Sequence, residues 1–584
     1  MKVNNIFSKV VLGACAVLTL GSCNDFLTIY PTDKTVAEDF WKKKADVDQM
    51  VTGAYAAMID YNVTERCIVW GALRSDELVK RNGLSNNTID NVLAMNLLPS
   101  NGYNSWSGFY NVINRCNIVL NHAAGVMDED PEFTQGDYDA VRGQMLALRS
   151  LCYFYLVRAF RDVPYTTQSY EDDDQQMQVA QMCPDSVLTF CIKDLKEAEK
   201  IVMRSGAYGY NNWRNKGYIT RDAVYAILAD IYLWRASMNH DQSDYESCIE
   251  YADKVIKSKD EYYRENHGAS VSGAEADQYH LTDGRFVSTM LSNNNSIESI
   301  LEWQYDGDHN SNTALENYYD MSGSEGQHDA SGNVEASQLF NSPSADANSL
   351  SGTKIYHSKN DYRMWNNVYL ANSAEALQLE IRKFVSRRGD LTDIENRNKG
   401  EEKTGNNFPA YQRNWIVYRL TDVMLMKAEA LVQTATNDSS SVLRSAFDLV
   451  QTVNKRSMLQ TAKDTLIFTD FKSKVGMEEL VLCERERELC FEGKRWFDLV
   501  RYAYRHMDGV NSRQKLADVT TWPTLPRKFT SVIVRKYDTG GDAVAYKMKT
   551  EPFLYWPIAR REIHVNLLLK QNPVYSDNET SSKN

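Results

Sequence analysis

The sequence predicts a mainly α fold, in which helix pairs stack as a degenerate tetratricopeptide-like scaffold and a loop-rich insert contains a few short strands. Three observations predict it. Apolar residues recur at three-four spacing over long segments. Small residues fall where such helices would touch. Residues 259–410 lack this periodicity and are rich in Ser, Asn, Gly, Asp and Tyr. A chain of 584 residues is long enough for a large helical array.

The first 22 residues have the layout of a secretory signal. Two lysines precede an apolar run at residues 10–20, which is too short to span a bilayer. The LGSC sequence at 20–23 resembles a bacterial lipobox, in which the chain is cut before the cysteine and the thiol is diacylated. A plain secretory signal is the alternative, but the small neighbours favour lipidation of Cys23. We therefore expect a lipid anchor, since each buried methylene contributes roughly 0.8 kcal/mol.

Seven segments carry the helical pattern, and Pro164 is expected to end the second of them. These segments are 109–123, 143–160, 186–202, 221–236, 245–258, 419–435 and 442–457. Small residues are expected at close helix contacts: Ala223, Ala226, Ala229, Ala428 and Ala430. Four tryptophans in helical or signature blocks are expected in the core: Trp106, Trp234, Trp415 and Trp496.

The pattern divides the chain into five parts. These are a signal peptide (1–22), a lipid-anchored tether (23–50), an N-terminal helical region (51–258), a loop-rich ligand-binding insert (259–410) and a C-terminal region completing the scaffold (411–584). Within the insert, 296–306 is typical of a short strand. A structureless loop as long as the insert is improbable in a compact protein, so we expect ordered, functional loops there.

Composition excludes several function classes. The net charge of -13 and the absence of a basic stripe argue against nucleic acid as a partner. The scattered cysteines do not form a disulfide framework. The Asp-Gly-Asp-His run at 306–309 has oxygen donors that suit calcium, but it lacks the spacing of an EF-hand loop. No metal site or other cofactor is predicted, and no GxSxG, P-loop or nucleotide-binding glycine motif is present.

The densest charged motif is ERERELCFEGKRWFDLVR at 484–501. We expect one helix with four charged residues sharing a face: Arg485, Glu488, Glu492 and Arg495. One interpretation makes Glu488 and Glu492 catalytic carboxylates of the glycosidase kind. The interpretation we favour is a partly buried ion-pair ladder, Arg485 with Glu488 and Glu492 with Arg495. Guanidinium neighbours lower the pKa of an acid, which is the wrong direction for a general acid.

Six blocks carry a resemblance to a known family. They are CNDFL with YPTD from Cys23 on, RCNIVL, LRSLCYFYLVRAFRDVPY, YRLTDVMLMKAEAL, the charged motif, and YWPIARREIHVNLLLKQNPVY. Their order and spacing, over nearly the whole chain, are similar to the SusD/RagB family. In that family the charged motif is a framework signature and not an active site; its residues here are Arg485, Glu488, Glu492, Arg495, Trp496 and Asp498.

The resemblance implies an outer-membrane lipoprotein that faces the exterior and pairs with a SusC-like TonB-dependent transporter. Such proteins capture oligosaccharides, or peptides in some members, without catalysis. Acidic residues that promote surface export are sparse after the lipid cysteine, with only Asp25 and then Asp33, so surface display rests on the resemblance alone. The ligand stays open, because the ligand-contacting aromatics of the family lie in no shared motif.

Four candidate ligand contacts are aromatic residues in polar loop sequence, where burial is less automatic: Tyr318 and Tyr319 in ENYYDMSG, and Tyr362 and Trp365 in NDYRMWNN. Two more, Asp76 and Arg81 in RSDELVKRNG, lie near the N-terminal helices and could supply hydrogen bonds. The alternatives for these aromatics are core packing or a transporter interface. The leading hypothesis is a glycan-binding importer component. A peptide-binding importer, a lipid-anchored glycoside hydrolase using free acids of the insert, and a structural helical lipoprotein are the alternatives.

Overall fold

Nineteen helices and eight short strands are found in the part of the chain that the computed structural model describes, residues 40–171, 175–267, 278–320, 332–372, 377–384 and 410–579. The helices of the first half are α1 (Lys44–Met58), α2 (Tyr61–Ile68), α3 (Asn87–Leu93), α4 (Ser107–Glu129), α5 (Gln135–Phe160), α6 (Pro184–Ile201), α7 (Arg214–Gly217), α8 (Arg221–Asn239), α9 (Gln242–His267), α10 (Val287–Ser292) and α11 (Thr313–Tyr319). Those of the second half are α12 (Tyr362–Asn367), α13 (Leu420–Thr434), α14 (Ser441–Ser457), α15 (Lys474–Leu489), α16 (Arg495–Arg505), α17 (Arg527–Val534), α18 (Gly541–Lys547) and α19 (Arg560–Val565).

The strands form four separate antiparallel pairs, which pin loops onto the helical scaffold. They are β1 (Leu78–Lys80) with β5 (Val334–Ala336), β2 (Val163–Pro164) with β3 (Gln181–Met182), β4 (Ser299–Trp303) with β8 (Trp415–Arg419), and β6 (Val368–Asn372) with β7 (Leu377–Ile381). The predicted strand at 296–306 is confirmed as β4.

The predicted mainly α scaffold is confirmed, since the long helices pack in chain order. Each member of the series α1, α4, α5, α6, α8, α9, α13 and α14 packs against the next. The five alanines predicted at close contacts are all fully buried, and so are the four tryptophans predicted in the core. All eight cysteines of the described residues are free, and seven of them are buried.

Several predicted boundaries differ from the structure. Helix α1 begins at Lys44, inside the predicted tether, and α9 continues to His267, past the predicted start of the insert. Helix α5 ends at Phe160, and Arg161 terminates it instead of Pro164. The backbone of Arg161 has φ 66°, and its guanidinium is held by Glu551, Asp162 and two backbone carbonyls. Cys23 and the signal peptide lie outside the described residues.

The charged motif at 484–501 is two helices and not one. Helix α15 ends at Leu489, and α16 begins at Arg495. Between them, Phe491 and Gly493 have φ values of 65° and 68°. The carbonyl of Gly493 lies so close to Gly71 that a Cβ on Gly71 would sit 1.8 Å from it. Backbone contact with the π-helical turn at Val69–Leu73 therefore explains why the helix breaks here.

The ion pairs within this motif also differ from the predicted ladder. Glu488 binds Arg363, Arg419 and Arg456, and Glu492 binds Arg419 and Lys383. Arg485 pairs with Asp422 and Asp498, and Arg495 pairs with Asp76 and Glu486. The predicted partners are wrong. The break separates Glu492 from Arg495, whereas Arg485 and Glu488 share α15 but each binds residues from other segments. The predicted role as a buried framework of ion pairs is consistent with this network.

Candidate functional site

A cleft with an aromatic wall opens between α1, α7 and the segment that follows β4. Its volume is about 460 Å³. Twelve residues line this aromatic cleft: Thr52, Tyr55, Ala56, Ile59, Trp213, Gly217, Tyr218, Trp303, Gln304, Tyr305, Asp306 and Asn310. Clefts of this size that combine aromatic walls with a few fixed polar groups are the usual form of small-ligand sites.

The aromatic wall comes from the loop that connects α6 with α8. Trp213 keeps 42 % of its surface exposed and meets the ring of Tyr218 edge-on, with 5.4 Å between centroids. Tyr218 also packs on Tyr55, with 4.8 Å between centroids. An exposed indole between fixed rings offers a flat apolar face to a ligand.

Hydrogen bonds hold this loop in one conformation. The buried Asn215 side chain donates to the Gly209 carbonyl (2.7 Å) and accepts from the Tyr208 N–H (3.3 Å). Tyr55 donates to Gln144 and accepts from the Ile219 N–H, both at 2.9 Å. The rings that line the cleft are therefore positioned before any ligand arrives, which lowers the entropic cost of binding.

Gly217 is needed where the loop meets the opposite wall. A Cβ at this position would lie 2.6 Å from Cγ of Gln304 and 2.7 Å from the indole of Trp213. Only a residue without a side chain lets the indole and the amide approach the backbone from both sides. The glycine thus fixes the width of the cleft at its aromatic end.

The opposite wall is polar and rigid. The amide of Gln304 exchanges two hydrogen bonds of 2.9 Å with Asn295 and accepts another from Asn414. The buried Glu302 carboxylate accepts from Asn414 (2.8 Å) and from the Asn295 N–H (2.7 Å). These bonds connect the end of β4 to the start of β8, so the wall is part of the scaffold.

Asp306 is the single carboxylate among the described residues that line the cleft. One of its oxygens accepts the N–H groups of Asp308, His309 and Asn310 at 2.9–3.0 Å. Chiefly through the N–H of Asn310, these bonds lower the pKa of Asp306 to about 2. The residue is ionised at neutral pH, which is opposite to what a general acid requires. The described part of the chain holds no group of three His, Cys, Asp or Glu arranged for a metal ion.

None of the six predicted ligand contacts lines this cleft, and four of them are buried. Asp76 is enclosed by Arg495 and Arg535. The Tyr318 hydroxyl donates to Glu65 and accepts from the Tyr103 hydroxyl, and Tyr319 donates to the carbonyl of Phe491. Tyr362 is also buried. These four are therefore not placed to contact a ligand in this cleft: polar neighbours in sequence do not expose the three tyrosines, and the hydrogen-bonding capacity of Asp76 is used by the two arginines.

The other two candidates are half-buried and lie apart from the cleft. Trp365 donates its indole N–H to the carbonyl of Lys359 at 3.0 Å and packs against the core. Arg81 donates its backbone N–H to Asn333 and lies near the carboxylate of Glu335. Their role as ligand contacts stays a prediction.

The cleft residues that the sequence interpretation missed had a recognisable signal. The segment YGYNNWRNKGY at 208–218 places four aromatic residues among glycines and asparagines between two predicted helices. Large rings in a turn-forming segment have few core positions available to them. Tyr55 and Tyr305 had no comparable signal, because each lies within an ordinary helical or strand pattern.

Glu335 on β5 gives a pH-dependent prediction. Burial raises the pKa of Glu335 to about 7, although Arg81 opposes the shift. Because this pKa lies above the value of about 4.3 in unfolded chains, ionisation of Glu335 reduces stability as pH rises from about 4.5 to about 7. Urea unfolding at pH 5 and pH 8 measures the effect. We expect the free energy of unfolding of Glu335→Gln, relative to that of the wild type, to be higher at pH 8 than at pH 5. The exposed Glu129→Gln is the control, and a gain independent of pH would contradict the prediction.

Comparisons with known proteins cover nearly the whole chain. Residues 234–575 match the sequence model of the SusD family, and residues 25–233 match one described as starch-binding and associating with the outer membrane. A SusD-like protein, P38, from Formosa agariphila is 24% identical over 555 residues, which cover 88% of this chain and 96% of the relative.

Solved structures match the fold at lower identity. A SusD superfamily protein from Bacteroides vulgatus has a TM-score of 0.64 at 18% identity and covers 91% of this chain and 99% of its own. A laminarin-binding SusD-like protein has a TM-score of 0.60 at 20% identity and covers 91% of this chain and 100% of its own. Within the described residues, no helix has the length and apolar character needed to cross a membrane.

Proposed function

The chain belongs to the SusD family, and from this premise we propose that it is a non-catalytic outer-membrane lipoprotein that binds a neutral oligo- or polysaccharide. It holds the glycan in the aromatic cleft and delivers it to a SusC-like TonB-dependent transporter for import. The anchor is the lipidated Cys23, and the protein faces the cell exterior. The observation that carries the proposal is the exposed indole of Trp213, fixed beside Tyr218 at the mouth of the cleft.

The chemistry of the cleft favours an uncharged sugar. Pyranose rings present C–H faces that stack on aromatic rings, and their hydroxyl groups pair with amides such as those of Gln304 and Asn310. The lining residues include no lysine or arginine, and Asp306 adds a negative charge. The Asp306 carboxylate therefore disfavours uronic acids and sulfated sugars inside the cleft, while the nearby cation Arg214 lies outside the lining, 5.0 Å over the Trp213 ring. The laminarin-binding structural neighbour supports a glycan as the ligand.

The buried acids of the framework support a binding protein over a hydrolase. Glu488 and Glu492 are enclosed by arginines and a lysine. Burial raises their pKa values, but the opposing charges prevail and keep both below the ordinary range. A glycosidase needs one acid with a raised pKa, and neither residue is accessible to a polysaccharide chain.

The experiment measures binding and hydrolysis on the same mixtures. The soluble chain, beginning after Cys23, is run through native gels cast with neutral and acidic polysaccharides, and the mixtures are assayed for new reducing ends. We expect retardation by a neutral glycan with no new ends. New reducing ends would overturn the non-catalytic proposal. Binding to peptides and to none of the polysaccharides would overturn the glycan as the ligand.

Trp213→Ala tests the site itself. We expect the affinity for the retarding glycan, measured by titration calorimetry, to fall at least tenfold, which corresponds to about 1.4 kcal/mol. Thermal stability should change little, because the indole is largely exposed. The matched control is Tyr546→Ala, which removes a 72 % exposed aromatic ring that does not line the cleft. Trp365→Ala tests the remaining candidate in the same assay, and loss of binding in that variant alone would move the site to the α12 surface.

A further inference from the structure

A second cleft opens between the turn that precedes α10 and the end of α14. Its volume is about 260 Å³, which is room for several waters at roughly 30 Å³ each and more than an inorganic oxyanion fills. Six polar side chains line it: Asp283, Arg285, Thr452, Lys455, Arg456 and Gln460. The buried Tyr362, one of the predicted contacts, also lines it. We call it the basic cleft, because three of its side chains are cationic, whereas the described lining of the aromatic cleft has no cation.

Contacts behind the walls hold the basic cleft in place. Gly284 approaches α14 so closely that a Cβ on it would lie 2.5 Å from the carbonyl oxygen of Arg456. The Asn366 side chain donates to the carbonyl of Gly284 at 3.3 Å. The Arg456 guanidinium donates to Glu298 at 3.1 Å and to the carbonyl of Thr282 at 3.3 Å. The cleft is therefore formed before a ligand arrives, which lowers the entropic cost of binding.

Two of the three cations in the cleft are already compensated. Arg285 donates to both oxygens of Asp283 at 2.9 Å, which makes that pair nearly neutral. Arg456 pairs with Glu298 and Glu488, which lie behind it in the core. Of the donors of Arg285, Nη1 is used by no residue that the structure describes. This amino group therefore stays available to a ligand.

Lys455 supplies the charge that is not compensated. The residue is exposed, and its ammonium has no hydrogen-bond or ion-pair partner among the described residues. The carbonyl end of α14 adds only a partial negative charge of about half an electron. The cleft as a whole therefore carries close to one surplus positive charge, which matches a ligand with one negative charge.

Two acids flank the α14 side of the cleft in sequence, and neither lines it. Asp448 pairs with Arg444 at 2.9 Å on the exposed surface of α14. Asp464 accepts from the side chain of Asn360 at 3.1 Å. Both carboxylates thus have partners away from the cleft, and they leave the charge of Lys455 in place.

Strand β4 separates the basic cleft from the aromatic cleft. Glu298, which backs the basic cleft through Arg456, precedes β4, and Gln304, which lines the aromatic cleft, follows it. At about 3.3 Å per residue, this part of the chain spans roughly 20 Å. One sugar unit cannot reach both clefts, so the two sites can be tested independently.

We propose that the basic cleft is a second binding site, specific for a sugar that carries one carboxylate, a uronic acid. The carboxylate accepts from the Lys455 ammonium and from Nη1 of Arg285. Hydroxyl groups of the sugar bind the Gln460 amide and donate to the Thr452 hydroxyl, whose own proton is donated to the carbonyl of Asp448. The volume of the cleft and its single surplus charge favour a sugar acid over a small, doubly charged oxyanion. The inference does not depend on which ligand the aromatic cleft holds.

The test is titration calorimetry of the soluble chain with sodium glucuronate and, separately, with inorganic phosphate. We expect a Kd for glucuronate of the order of 1 mM at low salt and weaker binding of phosphate. Lys455→Gln should weaken glucuronate binding about tenfold, because it removes a charged donor. The matched control is Lys257→Gln on α9, where the lysine side chain is 78 % exposed, and it should bind like the wild type. Absence of glucuronate binding to the wild type, equal losses in the two variants, or tighter binding of phosphate would each overturn the proposal.

Two crossed measurements separate this inference from the proposed function. Lys455→Gln should keep wild-type retardation by the neutral glycan, and Trp213→Ala should keep wild-type affinity for glucuronate. Loss of glucuronate binding in Trp213→Ala and not in Lys455→Gln would place the acid in the aromatic cleft and overturn the second site. Absence of neutral-glycan binding in the wild type would overturn only the proposed function.

Discussion

Glu488→Gln is expected to lower the free energy of unfolding by about 3–5 kcal/mol, the usual cost of breaking a buried ion pair from one side. The Glu488 carboxylate accepts from Arg363 at 3.0 Å and from Arg419 at 2.6 Å, and it also pairs with Arg456. All four side chains are at most 5 % exposed. Glutamine keeps the shape but removes the charge, which leaves three guanidinium groups with less compensation away from water.

The loss should depend on pH in a defined direction. Burial raises the pKa of Glu488, but Arg456, Arg419 and Arg363 outweigh it and hold that pKa well below its usual range. The stabilisation from this carboxylate is therefore complete above the unfolded value of about 4.3 and is lost as pH falls through the folded value. The wild type and Glu488→Gln should differ most at neutral pH and converge in acid.

Urea unfolding at pH 7 measures the effect, with Glu250→Gln as the matched control. Glu250 forms an exposed i,i+4 pair with Lys254 at 2.8 Å, and its loss should cost no more than about 0.5 kcal/mol. Similar losses in the two variants would contradict a buried network. If Glu488→Gln does not accumulate as folded protein while the control does, the result agrees in direction with the prediction.

The helical scaffold was predictable because its signal is local. Three-four spacing identifies α4, α5, α6, α8, α9, α13 and α14, although α5 begins eight residues before its predicted start and α9 ends nine residues after its predicted end. The partners of the charged motif were not predictable in the same way. Arg363, Arg419 and Arg456 reach Glu488 from three distant segments, and only the folded chain brings them together.

The site was less predictable because burial and exposure are tertiary properties. Asp76 lies in a polar stretch, yet its carboxylate is enclosed by Arg495 and Arg535. Tyr318 lies between polar residues, but it occupies the buried face of a seven-residue helix. The exposure of Trp213 could have been predicted from its glycine- and asparagine-rich loop. The cleft itself could not, because Trp213 and Tyr55 are far apart in the sequence and only the fold brings them together.

Gly493→Ala is the second substitution with a large expected effect, a loss of about 3 kcal/mol or more. Two costs combine at this position. The left-handed φ of 68° costs a residue with a side chain roughly 1–2 kcal/mol. A Cβ would also lie 2.4 Å from the carbonyl oxygen of Cys67, and forced overpacking adds roughly 1–3 kcal/mol.

Two further glycines separate these costs. Gly509 has φ 83° with nothing within 4 Å of a Cβ, so Gly509→Ala measures the conformational cost alone. Gly71 lies in the π-helical turn, where a Cβ would lie 1.8 Å from the carbonyl oxygen of Gly493, so Gly71→Ala tests the close approach from the other side of the turn. Urea unfolding should give a larger loss for Gly493→Ala than for Gly509→Ala, and a large loss for Gly71→Ala. A loss for Gly493→Ala no larger than that of Gly509→Ala would mean that the backbone contact is not under strain.

The same contact connects the signature turn to the cleft. A Cβ on Gly493 would also lie 3.0 Å from the indole of Trp415, and Lys494 donates to the carbonyl of Val417. Trp415 and Val417 belong to β8. Its partner strand, β4, leads into the polar wall at Gln304. Displacement of β8 in Gly493→Ala should therefore reduce glycan affinity in the folded fraction, whereas Gly509→Ala should leave it unchanged. Unchanged affinity in both variants would show that the wall tolerates movement of the turn, and would confine the role of the signature to stability.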